Sequence, residues 1–279
     1  MYKIVDKRQL NKDVDLMVVK APFVSRKCEP GQFIILRADD NSERIPLTIA
    51  DYDREEDTVT IIYQVVGYST QVLRTKEIGE SVKDFVGPLG QPSELKKHKR
   101  VLGIAGGVGA APLYPQIKKL HEMGVEVDVI IGGRSDEYII LEDEFKKICH
   151  NIYFATNDGS KGKKGFVTDV LNDLLDNGEQ YEEVIAIGPL IMMKAVVSIT
   201  KPLNIPTAVS LNPVMIDGTG MCGGCRVTVG DETKFACVDG PDFDGLLVDF
   251  DECMRRQNMY RDQEDHVCRV GLEGGQKNA

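Results

Sequence analysis

Val14, Leu16 and Val18 alternate with Asp15 and Met17, a period of two that predicts a β-strand. Apolar runs at residues 33–36 and 59–66 follow, divided by the turn-rich Cys28-Glu29-Pro30-Gly31 and by residues 51–57. Several short strands at this spacing predict a small β barrel over residues 1–97. The period then changes. Residues 101–105 predict a buried strand, a glycine-rich turn follows, residues 112–123 carry a helical pattern and residues 125–131 return to strand, which makes a βαβ unit. Further strands are expected near 152–155 and 184–187, and helices near 142–149, 167–175 and 190–199. Residues 98–210 therefore predict a doubly wound α/β domain. Past Pro206 the chain turns glycine- and cysteine-rich over 211–245, and a charged tail, 246–279, carries a helical pattern near 250–260.

A length of 279 residues suits two domains and an appendage. The net charge of −10 repels phosphate backbones and anionic lipid, so neither nucleic acid nor a membrane surface is an expected partner. One short basic cluster, residues 96–100, reads as a solvated linker face. No apolar run approaches the roughly 20 residues a membrane span needs. The chain opens on a strand-like segment without a secretory pattern, so a cytoplasmic location is expected. In that reducing setting seven cysteines do not suggest a disulfide framework. Cys28, Cys149, Cys253 and Cys268 read as plain thiols.

The remaining three stand in a pattern with a chemistry of its own. Asp217, Cys222, Cys225 and Cys237 follow the spacing of a plant-type [2Fe–2S] site, with Asp217 where the first thiolate would be. Gly218, Gly220, Gly223 and Gly224 let the backbone curl around a small cluster and aim amides at its sulfurs. Structural zinc is the alternative, but its usual paired-Cys or Cys-with-His grammar is missing, and the nearest His to Cys237 is His266.

Phosphate chemistry is suggested at turns. Gly67, Ser69 and Thr70 precede a helical segment, where hydroxyls and free amides suit a pyrophosphate or simply cap the helix. Gly106, Gly107, Val108, Gly109 and Ala110 join a strand to a helix, a place for a dinucleotide phosphate or for a close-packed turn. Arg134 and Ser135 follow the next strand, and Asn157 and Asp158 the one after, both where the crevice of a doubly wound sheet takes its ligand.

Together with Gly31-Gln32-Phe33, Arg44-Ile45-Pro46-Leu47-Thr48, Ile62-Tyr63-Gln64, Gly87-Pro88-Leu89-Gly90 and Gly188-Pro189 ahead of Met192, these motifs resemble the ferredoxin–NADP reductase superfamily. The resemblance implies a β barrel plus α/β two-domain fold with a C-terminal iron–sulfur segment. It implies FAD against Arg44, Pro46, Leu47, Thr48, Ile62, Tyr63, Gln64, Gly67, Ser69 and Thr70. NAD(H) would lie against Gly106 to Ala110, Arg134, Ser135, Asn157, Asp158, Gly188, Pro189 and Met192. One departure stands out. The family spaces its arginine and hydroxyl three positions apart, whereas Arg44 precedes Thr48 by four and would leave the strand face. Arg134 could grip a 2′-phosphate or lie over adenine, and an Arg-Ser pair in NADH-using relatives favours NADH.

Across its length the chain resembles the small, FAD and [2Fe–2S] subunits of NADH-dependent ferredoxin:NADP oxidoreductases, the electron-bifurcating transhydrogenases also called sulfide dehydrogenase β subunits. Residues 211–225 carry the closest likeness, Asp217 included. The resemblance implies a heterodimer with a larger flavin and [4Fe–4S] subunit that carries the NADP and ferredoxin chemistry. Hydride from NADH would reach FAD, single electrons would leave through the cluster, and no catalytic side chain is assigned. The tail, 246–279, is a candidate docking segment. Two alternatives stand: an electron-transfer subunit of dihydroorotate dehydrogenase, which resembles this chain but has cysteine at the position of Asp217, and a zinc-stapled, non-catalytic interaction module.

Overall fold

A computed structural model describes residues 2–259. Seven antiparallel strands form the first sheet: β1 (Tyr2–Asn11), β2 (Val14–Lys20), β3 (Phe33–Arg37), β4 (Ile45–Asp53), β5 (Thr58–Gln64), β6 (Ser81–Val82) and β7 (Asp84–Leu89). Their order, β6-β1-β2-β5-β4-β3-β7, puts β6 and β7 at opposite edges although only Lys83 separates them in sequence. That short step curls the sheet into a nearly closed barrel, and Lys83 N–H donates to the Arg37 carbonyl across it. Ile4, Met17, Val19, Ile34, Leu36, Ile61 and Tyr63 fill the inside. Two helices, α1 (Pro22–Ser25) and α2 (Tyr68–Thr75), sit in the connections.

Alternation along β2 and β5 sends the other face outward, yet it is not solvated. Val14, Leu16 and Ile62 are buried in one apolar cluster with Leu113 and Ile117 of α3 (Ala110–Glu122), in the second domain. The Lys118 ammonium of α3 reaches the Asp51 carboxylate of β4 at 2.9 Å. A strand pattern that looked half-exposed is thus buried on both sides by the neighbouring domain.

The second sheet contains β8 (Arg100–Gly106), β9 (Glu126–Gly133), β10 (Asn151–Thr156), β11 (Lys163–Lys164), β12 (Glu183–Ile187) and β13 (Thr207–Ser210) in the order β11-β10-β9-β8-β12-β13, all parallel. The chain starts at central β8, runs outward one way, then returns to the other side through β12. The topological switch lies between β8 and β12, where a doubly wound sheet opens its ligand crevice. Helix α3 and α4 (Glu142–Lys146) cover one face; α5 (Val167–Asp176), α6 (Leu190–Thr200) and α7 (Phe250–Gln257) cover the other. The helix expected from 112 starts two residues earlier, at Ala110 with Gly109 as its N-cap, and the one expected over 142–149 stops at Lys146. Of the pattern near 250–260 the structure forms α7; residues 260–279, with the rest of the candidate docking tail, lie outside the described residues.

Residues 211–245 are less separate from the sheet than their composition suggests. They leave β13, form the hairpin β14 (Arg226–Val229) and β15 (Glu232–Phe235), and return as β16 (Asp242–Asp244), which pairs antiparallel with β13. This excursion packs on the outside of the barrel. Ile34 and Leu36 point in, so Phe33 and Ile35 point out, where they are buried with Met215, Cys225, Ala236 and Cys237.

Candidate functional site

Between barrel and sheet lies a cleft of about 1090 Å³. Its floor is the pair of βα turns at the switch point. Gly109 is forced by packing, since a Cβ there would stand 2.2 Å from the Ile187 carbonyl oxygen, and one at Gly106 would meet the Met192 sulfur at 2.5 Å. These glycines therefore bring the β8 and β12 turns into contact. Gly107 differs: its φ is +55° and nothing lies within 4 Å of where a Cβ would be. Gly106, Gly107, Val108, Gly109, Gly188, Pro189 and Met192 border the cleft, but Ala110 is fully buried behind them in the α3 core.

On the barrel side Pro46, Leu47, Thr48, Ile62, Tyr63 and Gln64 border the same cleft. Tyr63 belongs to the barrel core, with a hydroxyl that lacks a hydrogen-bond partner among the described residues; burial, then the Asp15 charge, raises its pKa. Four expected contacts lie elsewhere. Arg44 precedes β4, is exposed, and holds its guanidinium 4.0 Å from Asp84. Gly67, Ser69 and Thr70 lie outside the cleft lining as well. The Thr70 hydroxyl accepts the Val66 and Gly67 amides and donates to the Gly67 carbonyl, so it caps α2 and is spent there. Ser69 accepts the Glu43 amide at 3.1 Å, which ties the loop before Arg44 to the start of α2. What this region still offers an anion is the Arg44 charge and the first-turn amides of α2.

Arg134 and Asn157 border the cleft. The Arg134 guanidinium lies 5.8 Å from the Tyr138 ring, whose hydroxyl donates to Asp13 across the domain boundary at 2.9 Å. Ser135 and Asp158 do not line the cleft. Ser135 starts a short 3-10 turn, and Asp158 accepts both the amide and hydroxyl of Ser160, bonds that lower its pKa. Asp158 shapes its own loop, as Asx residues in turns do. Sequence reasoning missed Tyr138, Phe166 and the α7 end, where Met254, Gln257 and Asn258 join the lining. A charged helix in a charged tail carried no signal for that placement.

Beyond Phe33 and Met215 the four candidate ligands form two pairs. The Cys225 sulfur lies 3.1 Å from the Cys237 sulfur, both buried, and Gly220 N–H donates to Cys237 at 3.2 Å. Burial, then Cys225, raises the Cys237 pKa. Asp217 accepts the amides of Thr219 and Cys222 at 3.0 and 2.9 Å, bonds that lower its pKa, and Cys222 is exposed. Gly218, Gly220 and Gly223 have φ of +77°, +81° and +66°, the left-handed turns such a tight loop needs. Among the described residues no three His, Cys, Asp or Glu side chains close around one point. The donor set of three sulfurs and one carboxylate nevertheless fits iron, with amides aimed at sulfur.

Known proteins carry the same two parts. Residues 104–198 match the oxidoreductase NAD-binding domain, and residues 212–249 the iron-sulfur cluster binding domain of dihydroorotate dehydrogenase B. A dihydroorotate dehydrogenase B (NAD(+)) electron transfer subunit homolog of Thermotoga maritima is 45% identical over 95% of this chain and 93% of its own. A dihydroorotate dehydrogenase B electron transfer subunit of Fusobacterium nucleatum is 36% identical over 84% of this chain and 92% of its own. The chain belongs to this electron-transfer subunit family. As a family member it is an NAD(H)-dependent oxidoreductase subunit with an iron–sulfur cluster domain. The solved structure of an NADH-dependent reduced ferredoxin-NADP oxidoreductase, described for flavin-based electron bifurcation, is 43% identical, with a TM-score of 0.92 over 98% of both chains. An Amycolatopsis cytochrome P450 reductase, 20% identical over 73% of this chain and 66% of its own, has a TM-score of 0.62 and shares the two-domain ferredoxin–NADP reductase-like fold. No helix among the described residues is long and apolar enough to cross a membrane.

Proposed function

We propose that this chain is the small subunit of an NADH-dependent ferredoxin:NADP oxidoreductase, taking hydride from NADH and passing electrons singly to a larger partner. Residues 1–97 would hold FAD, 98–210 NAD(H), 211–245 a [2Fe–2S] cluster, with 246–279 toward the partner. The observation that carries the reading is that Phe33 and Met215 border the cleft and also lie in one buried cluster with Cys225 and Cys237. The dinucleotide cleft and the cluster loop are thus separated by little more than one layer of side chains.

When bound, the flavin supplies a two-electron acceptor that releases electrons one at a time, and the cluster accepts one at a time. The protein's own part is positioning. Pro46 to Thr48 and Ile62 to Gln64 form the wall for the isoalloxazine, while Arg44 and the α2 amides suit its pyrophosphate. Gly106 to Gly109, Gly188 and Pro189 let a dinucleotide approach the backbone opposite that wall, with Arg134 and Asn157 at its far end. Hydride transfer needs reacting atoms roughly 3–3.5 Å apart, a demand on geometry that calls for no acid or base. Asp217 with Cys222 and Cys225 with Cys237 would each serve one iron of a binuclear cluster, whereas zinc would draw all four to one point.

The dihydroorotate dehydrogenase reading uses the same cofactors and a different partner, and the names of several relatives favour it. Two facts support the bifurcating enzyme instead: Asp217 at the first ligand position, and 43% identity over nearly the whole of the solved oxidoreductase chain. The test is the absorption spectrum of anaerobically purified protein, with iron, zinc and flavin assayed, before and after NADH. Bleaching of flavin and iron–sulfur bands together is expected. Colourless, zinc-containing protein without flavin would defeat the reading.

A further inference from the structure

Two arginines from separate elements close on the Gly223-Gly224 step between Cys222 and Cys225. Arg256 of α7 donates from Nη2 to the Gly224 carbonyl at 3.0 Å, and Arg226 at the start of β14 donates from Nη1 to the Gly223 carbonyl at 3.1 Å. Neither makes an ion pair with a carboxylate among the described residues, in a chain that carries 44 acidic side chains. Arg256 is half-buried, and its Nε is buried without a hydrogen-bond partner among the described residues. A guanidinium with a buried, unpartnered N–H costs free energy, and it keeps its proton whatever its surroundings.

We propose that Arg256, assisted by Arg226, sets the reduction potential of the cluster held by this loop, an inference that rests on the proposed cluster reading. Taking up one electron adds one negative charge to the cluster, and fixed positive charge beside the Cys222–Cys225 loop favours that reduced state. Arg256 acts as a positioning residue too, because its fork holds the loop carbonyl against α7. The charge compensates anionic ligands that include Asp217, so a cluster held by this loop would be reduced more readily than its donor set alone would permit.

The test is a redox titration of the iron-loaded full chain, followed by the cluster's paramagnetic resonance signal, for the wild type and for Arg256→Gln, Arg256→Lys and Arg226→Gln. Arg256→Gln with its iron retained should show a ratio of reduced to oxidised cluster, at fixed potential, about tenfold lower, which is about 59 mV for a one-electron couple. Arg256→Lys, which keeps the charge, should stay near the wild type, and Arg226→Gln should fall less far because its side chain is more exposed. An iron-loaded Arg256→Gln with an unchanged or raised midpoint overturns the proposal. If Arg256→Gln loses its iron, Arg226→Gln decides: a lowered midpoint supports the proposal and an unchanged one overturns it. Wild-type protein that binds no iron would instead defeat the cluster reading itself.

Discussion

The Cys225 sulfur stands 3.1 Å from the Cys237 sulfur, across twelve residues of sequence, beneath Phe33 and Ile35 of the barrel. Cys222, only three residues before Cys225, is exposed. The inner pair is thus positioned by the barrel and the outer pair by its own loop. Cys225→Ala is expected to abolish the cluster, with iron falling to background. Full iron and an unchanged spectrum would exclude this ligand set.

Asp217 already receives two backbone amides, from Thr219 and Cys222, so its carboxylate is oriented by the loop that carries it. Asp217→Cys should keep the iron, since a thiolate satisfies the same position, and should shift the cluster midpoint because a harder oxygen donor has been removed. An unchanged midpoint in a redox titration would remove the electronic role assigned to that oxygen.

Gly109 and Gly107 separate packing from ligand approach. Gly109→Ala would drive a methyl to 2.2 Å from the Ile187 carbonyl and force the β8 and β12 turns apart, whereas Gly107→Ala meets open space and faces only the backbone penalty of φ +55°. We expect Gly107→Ala to cost about 1 kcal/mol in denaturant melts. Gly109→Ala should cost more and weaken NADH binding with it. Equal losses would show that the turn contact does not position the cleft.

Much of this architecture was legible because burial enforces period. The barrel, the βαβ units and the glycine turns at strand ends all leave repeating marks in sequence. Other features leave none. Asp242 returns to the sheet edge in a strand of three residues, too short for alternation to register. The Thr70 hydroxyl reads the same whether it caps a helix or meets a phosphate, and only its three bonds to Val66 and Gly67 distinguish them. Met254, Gln257 and Asn258 reach the cleft through tertiary packing of α7, a placement that the charge pattern of the tail does not encode. The four candidate ligands stand out by spacing, but their division into an inner and an outer pair depends on β3 turning Phe33 and Ile35 outward.

Asp15 is 2% exposed inside the barrel mouth, and Arg74 of α2 grips both its oxygens at 2.8 and 2.9 Å. Arg74→Met leaves that carboxylate buried and unpaired, an expected loss of about 3 kcal/mol. The double change Asp15→Leu with Arg74→Met should recover much of it, because replacing both partners by apolar groups removes the stranded charge. A urea midpoint for Arg74→Met equal to the wild type would show that water reaches Asp15.

Asp242 of β16 holds its carboxyl with Oδ1 buried and no cation facing it among the described residues. Its Oδ2 accepts the Ser93 hydroxyl at 2.6 Å and the Gln116 amide at 3.0 Å, Ser210 lies beside it, and Oδ1 has no partner among the described residues. Desolvation raises its pKa above the ordinary 3.8, and the three hydroxyl and amide neighbours oppose that rise only in part. Between 3.8 and the raised folded pKa, folding therefore takes up a proton here. The associated stability is fully present below 3.8 and is lost as pH rises through the folded pKa, where the buried group must ionise. Asp242→Asn is neutral at every pH and keeps the shape of the side chain, so it should escape that loss. Urea midpoints of wild type and Asp242→Asn, compared at about pH 5 and about pH 8, should shift in favour of the variant at the higher pH. A difference that stays constant between the two would mean that Asp242 is already ionised in the folded protein, and that Ser93, Gln116 and Ser210 suffice to hold its charge between barrel, α3 and cluster segment.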